Sequence, residues 1–100
     1  MKSSVEIDQY GILECPVCGC SNLHQVSCAV YWRDIEDSET GINIFSESSG
    51  SAIANDMNGN PSPRRDGIQI NFKCEGCASA GLTMNIVQHK GSTFFEWDAV

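Results

Sequence analysis

The chain has no run approaching the ~20 consecutive apolar residues that a membrane span requires, although 41% of its 100 residues are hydrophobic. Nor does it open like an exported protein. Met1-Lys2-Ser3-Ser4 carries one positive charge, and Val5-Glu6-Ile7-Asp8 interrupts any apolar region before it begins. The expectation is one soluble domain over residues 1–100, in a cytoplasm that keeps thiols reduced. Cations are the next scarcity: six Lys and Arg stand against thirteen Asp and Glu, for a formal net charge of −7. Such a molecule is repelled by phosphate backbones unless its few cations gather on one face, and it is drawn to basic protein surfaces. Catalytic signatures are missing too. There is no H-E-x-x-H, no phosphate-cradling Gly-rich loop and no G-x-S-x-G. The two histidines, His24 and His89, have no obvious carboxylate to orient them, so no enzyme is expected.

Helical periodicity is absent as well; what the sequence carries is alternation. Val26, Cys28, Val30 and Trp32 fall on one side and Ser27, Ala29, Tyr31 and Arg33 on the other, which predicts a strand with the first set buried. Cys28 is then a core residue. Tyr10, Ile12 and Leu13 suggest a short strand before it. Asp34-Ile35-Glu36-Asp37-Ser38-Glu39-Thr40-Gly41 reads as an acidic turn, and Ile42 to Phe45 as a second strand. Residues 46–66 are dense in Ser, Asn, Gly and Pro, and predict a long loop or mobile insertion. Alternation returns at Ile68, Ile70 and Phe72, again at Leu82, Met84 and Ile86, and finally at Thr93, Phe95 and Trp97 after a Lys90-Gly91 turn. Phe94 faces the other way, and His89, just before that turn, is expected to face solvent.

Four of the six cysteines form two C-x-x-C pairs, Cys15-Pro16-Val17-Cys18 and Cys74-Glu75-Gly76-Cys77. Two intervening residues let a tight turn aim both sulfurs at one point about 2.3 Å away, and Gly19 or Gly76 permits the left-handed backbone that such a turn often needs. Two of these knuckles complete a tetrahedral four-thiolate zinc site with no open position, which is the structural type. Residues 19–73 separate the pairs, against the ~15–20 residues of the simple spacing; the excess reads as an insertion in one hairpin, a cheap one because loop closure costs grow slowly with length. Cys20 and His24 are the competing ligands. Iron also suits a four-sulfur tetrahedron, whereas a thioredoxin-type dithiol needs a βαβ context that the chain lacks. In an oxidising compartment the six cysteines would instead allow 15 disulfide pairings. The fold expected is mostly β: a zinc-ribbon-like antiparallel sheet with two knuckles and a long insertion between them.

Cys-Pro-Val-Cys-Gly followed far downstream by Cys-Glu-Gly-Cys resembles the zinc-ribbon superfamily. Leu23-His24-Gln25-Val26, Arg33 to Asp37, Arg64-Arg65-Asp66-Gly67 and His89 to Phe94 resemble small zinc-ribbon proteins carried by bacterial phages and prophages. That resemblance implies the fold, the metal and a bacterial host cytoplasm, but no activity; some zinc-binding phage proteins of this size are anti-CRISPR inhibitors. Two functions follow. In one, the acidic residues Asp34, Glu36, Asp37 and Glu39 meet a cationic cluster on a host protein, such as a CRISPR effector, in the manner of nucleic-acid phosphate. In the other, Arg33, Arg64, Arg65, Lys73 and Lys90 hold DNA or RNA in transcription or replication, although so few cations make a thin footprint.

Overall fold

The computed structural model describes residues 2–79 and 81–98. It contains seven strands: β1 (Lys2–Ser4), β2 (Leu23–Arg33), β3 (Thr40–Glu47), β4 (Gly50–Asp56), β5 (Gly67–Cys74), β6 (Leu82–His89) and β7 (Ser92–Asp98). They form one antiparallel sheet in the order β1-β7-β6-β5-β2-β3-β4, with no helix among the described residues. The β-branched and aromatic residues that alternate in the sequence are those that suit a pleated surface. The β6–β7 hairpin closes on Lys90 and Gly91 between the paired His89 and Ser92. Both turn residues have positive φ, 49° and 81°, and this pairing matches the right-handed twist of the strands.

Most of the core lies on one sheet face. Phe72, Leu82, Met84 and Trp97 pack with Cys15 and Cys74, backed by Val5, Leu13, Leu23 and Ile70, and the rings of Phe72 and Trp97 meet edge to face at 5.7 Å. Residues 5–22 lie over this end of the sheet. Their only pairing is the single Ile7–Leu13 bridge, so the strand expected around Tyr10 does not form.

The long insertion is more ordered than its composition suggests. Gly50–Asp56 is strand β4, paired with β3 through a two-residue Ser48-Ser49 connection. Small residues mask it in the sequence, because Ala52 and Ala54 contribute little hydrophobic signal. Residues 57–66 then cross the sheet to reach β5 and are pinned throughout. Ser62 Oγ donates to Gln88 O and accepts from Arg65 N, both at 2.9 Å, and Asn60 accepts from Ser62 N and donates to Arg65 O. Gly67 admits the crossing, since a Cβ there would lie 2.5 Å from Asn60 Oδ1.

That crossing also inverts the expected burial of β2. Ala29 and Tyr31 are buried, each 6% exposed, while Val26 and Trp32 of the supposed core face are about half exposed at 48% and 49%. Cys28 is correspondingly half-buried and lies outside the core cluster. The alternation was correct, but the covering layer on that stretch lies over the Ala29/Tyr31 face. His89 is half-buried beside Phe94, with ring centroids 6.4 Å apart, and does not simply face solvent.

Candidate metal centre

Each knuckle is built at the strand ends by the same local device. Cys15 N–H donates to Cys20 O at 2.8 Å, and Cys74 N–H donates to Ser79 O at 2.9 Å. In both, the residue after the second cysteine takes a left-handed conformation: Gly19 at φ 78° and Ala78 at φ 55°. Gly76, a sequence candidate for that role, serves close approach instead. A Cβ on it would lie 2.8 Å from Cys20 Sγ and 3.4 Å from Cys18 Sγ. The second knuckle is the β5–β6 connection itself, since β5 ends at Cys74 and β6 begins at Leu82. The first precedes β2, whose Leu23 pairs with Cys74. Glu75 N–H completes the join by donating to Asn22 O.

The structure gathers Cys15, Cys18, Cys74 and Cys77, with all four Sγ atoms within 4.8 Å of one another. Two distances across the knuckles test the fit to a metal: Cys15 to Cys77 is 3.8 Å and Cys18 to Cys74 is 3.6 Å. A tetrahedron with metal–sulfur bonds of about 2.3 Å has edges of about 3.8 Å. The donor set therefore matches a four-coordinate ion that favours sulfur, and it leaves no coordination position open.

The two alternative ligands go elsewhere. His24 Nε2 lies 2.7 Å from Glu75 Oε2 on the exposed surface. Cys20 Sγ is 3.1 Å from Cys74 Sγ, too short for an edge of that tetrahedron but suited to a thiol leaning on a coordinated sulfur. The sequence offers this fifth sulfur as a competing ligand, and the structure places it beside the four-sulfur set.

The protonation of the cluster shows what it lacks without a cation. Cys77 is lowered to about 6 by the Ser79 hydroxyl, 3.1 Å away, and by the Ser79 N–H. Cys74 moves the other way: the Cys77 N–H favours its thiolate, but Cys20, loss of solvent and the sulfurs of Cys18 and Cys15 together push the thiol well up. Cys18 is also raised: the Cys20 N–H and the Cys74 sulfur favour its thiolate, but desolvation and the sulfurs of Cys77 and Cys20 push the thiol up. Four like charges at this spacing need a counter-charge. A dication supplies it and displaces the protons.

The acidic turn is brought to a different place, the far end of β2, where it does not stand free. Arg64 grips Asp37 with two hydrogen bonds of 2.7 and 3.0 Å and reaches Glu36 at 2.8 Å, and Arg65 lies 3.3 Å from the same Glu36. The Arg64 hydrogen bonds hold Asp37 below the usual carboxylate range. Asp34 accepts from Thr40 Oγ1 at 2.8 Å, and Glu39 forms no ion pair among the described residues. Beneath the turn, Arg33 is a structural residue that sequence reasoning missed. Its guanidinium donates to the carbonyls of Arg65 (3.1 Å), Ser62 (2.8 Å) and Ser38, while its N–H donates to Asp66 Oδ1 at 2.7 Å. Compared with known proteins, the chain matches no family model, no curated protein and no solved structure.

Proposed function

We propose that this chain is a non-enzymatic, zinc-stabilised module that binds another protein. The observation that carries the metal is the agreement of the cross-knuckle sulfur distances, 3.8 and 3.6 Å, with a four-thiolate tetrahedron. Zinc is the natural occupant of a closed four-cysteine site, and metal analysis of the purified chain is expected to find one zinc per molecule. Iron instead would give a coloured protein and would overturn the assignment.

Support for a protein partner comes from where the cations go. Of the five residues that a nucleic-acid surface would use, Arg33 is spent on backbone carbonyls, and Arg64 and Arg65 on Glu36 and Asp37. Only Lys73 and Lys90 are left, too few for a phosphate footprint. Asp34, Glu36, Asp37 and Glu39 outnumber the three arginines beside them, Arg33, Arg64 and Arg65, so the cluster stays net negative. The finer reading is a phage-encoded inhibitor, acting in a bacterial host's cytoplasm, that sets this turn into the basic groove of a nucleic-acid-binding enzyme such as a CRISPR effector.

The test uses a purified effector and the zinc-loaded chain. Equimolar chain is expected to block nucleic-acid binding, and lysine at all four acidic positions is expected to weaken the complex at least about tenfold. Unchanged affinity after that reversal would sink the acidic-docking idea. Direct DNA or RNA binding at about 50 mM salt, lost steeply as salt rises, would favour the alternative of a nucleic-acid-binding zinc ribbon in transcription or replication.

A further inference from the structure

The strand registers place one residue from each of six strands in a single row across the sheet. Phe95 pairs with Ile86, Ile86 with Ile68, Ile68 with Val30, Val30 with Ile44, and Ile44 with Ile53. Directly opposed residues share a face, so this row lies on the face that carries most of the core. Toward the metal, the next row contains Trp97, Met84, Ile70 and Cys28, and its Trp97 end is covered by residues 5–22. Away from the metal, Trp32 and Ile42 pair on the same face. There the cover stops while the apolar surface continues: Ile53 is 75% exposed, Phe95 55%, and Trp32 and Ile42 49% each.

Two shallow hollows lie along this face. One, of about 230 Å³, is bounded by Trp32, Ile68, Ile86 and Thr93 together with Asp66 and Gln88. The other, of about 300 Å³, is bounded by Val26, Cys28, Ser46 and Ile70 together with Gln25 and Glu47. The most exposed apolar residues, Ile53 and Phe95, stand at the two ends of the row, outside both hollows. The face thus has both ridges and recesses.

We infer that a second copy of this chain covers the apolar half of this face, stacking sheet on sheet. Three observations select that occupant. The row and the Trp32–Ile42 pair carry no charge, on a molecule whose net charge is −7. Their complement must therefore be uncharged and apolar, and the same row on a second copy is such a surface, with Asp66 and Glu47 confined to the hollows beside it. A two-fold axis lets the ridges of each copy meet the recesses of the other. The exposed area is also of the right order. The exposed fractions of Ile53, Phe95, Trp32 and Ile42 amount to roughly 500 Å² per copy, so a dimer buries about 1,000 Å² in total, near the lower bound for a specific interface and too little for an obligate one. The layer formed by residues 5–22 rises from the metal end, so the two copies stack with their metal ends apart. This inference does not depend on the function proposed above.

Analytical ultracentrifugation of the zinc-loaded full chain, from about 1 to 200 µM, tests it. A reversible dimer is expected, and it strengthens several-fold between about 50 and 500 mM NaCl because screening relieves repulsion between two acidic copies. Both Ile53 and Phe95 are exposed, so the double variant Ile53→Asp, Phe95→Asp is expected to keep the wild-type circular dichroism and zinc content while weakening association at least about tenfold. A chain that stays monomeric at the highest concentration overturns the inference. So does a dimer indifferent to the double variant. A third variant, Ala52→Lys with Ala54→Lys, charges the β4 edge on the opposite face. If it dissociates the dimer and the Ile53/Phe95 variant does not, the copies join edge to edge and the face-stacking inference fails.

Discussion

A single thiol separates the metal ligands from their surroundings. Cys20 lies nearer to Cys74 than any ligand pair measured across the knuckles does, 3.1 Å against 3.6 and 3.8 Å. Proximity alone would make it a ligand; geometry excludes it, since the four remaining sulfurs already satisfy the tetrahedron. Its place is beside the site, held where Gly76 leaves room for it. Cys20→Ser is therefore expected to bind one zinc per chain, with affinity reduced by less than tenfold, because the hydroxyl can replace a thiol that leans on a coordinated sulfur. Cys74→Ser removes a ligand at the end of β5 and is expected to lose zinc and fold together. Titration of each apo-protein with zinc, followed by circular dichroism, distinguishes the two. Equal loss in both variants would place Cys20 in the coordination shell.

At the scale of elements, the sequence revealed strands through their apolar partners and missed what polar groups build. Ile68 to Phe72, Leu82 to Ile86 and Thr93 to Trp97 announce β5, β6 and β7 because alternate large residues must face a core. Both knuckles were legible for a comparable reason, since two residues between cysteines admit few geometries. Strand β4 was not, because Gly50-Ser51-Ala52 and Ala54-Asn55 resemble turn-forming sequence, and pairing with β3 overrides that preference. Residues 57–66 looked mobile because the groups that hold them are carbonyls and hydroxyls, which leave no periodic trace. Arg33 is their central tie, a charged donor to three carbonyls from the last residue of β2. A lysine has neither the planar fork nor enough donors directed at separate acceptors. Arg33→Lys is expected to destabilise the chain by about 2 kcal/mol, the scale of hydrogen bonds to a charged group. Proteolysis is expected to cut first between residues 57 and 66. Chemical denaturation measures the first effect and mass spectrometry of early fragments the second. Unchanged stability would mean that the crossing is held without Arg33.

For the whole molecule, the metal centre is one wall of the core, since Cys15 and Cys74 belong to the same buried cluster as Phe72, Leu82, Met84 and Trp97. A chain of 100 residues with a single sheet buries a modest apolar area, and a metal cross-link would hold residues 5–22 over its end. Binding energy at the metal is then folding energy. A strong chelator is expected to unfold the chain cooperatively; a folded metal-free form would refute the coupling. The thiols fix the sign of the pH dependence. Cys18 and Cys74 both sit above the ordinary thiol value of 9.0 in the metal-free cluster and so hold protons at pH 7, while Cys77, lowered to about 6, is mostly thiolate. A dication that binds the four sulfurs must therefore expel at least two protons at neutral pH. Affinity for it rises with pH, and the stability it would confer is lost as pH falls. Calorimetry in buffers of different ionisation enthalpy counts these protons directly. A release below two protons per ion would show that the cluster is more ionised without metal than this, and that its sulfurs do not compete for protons as their spacing requires.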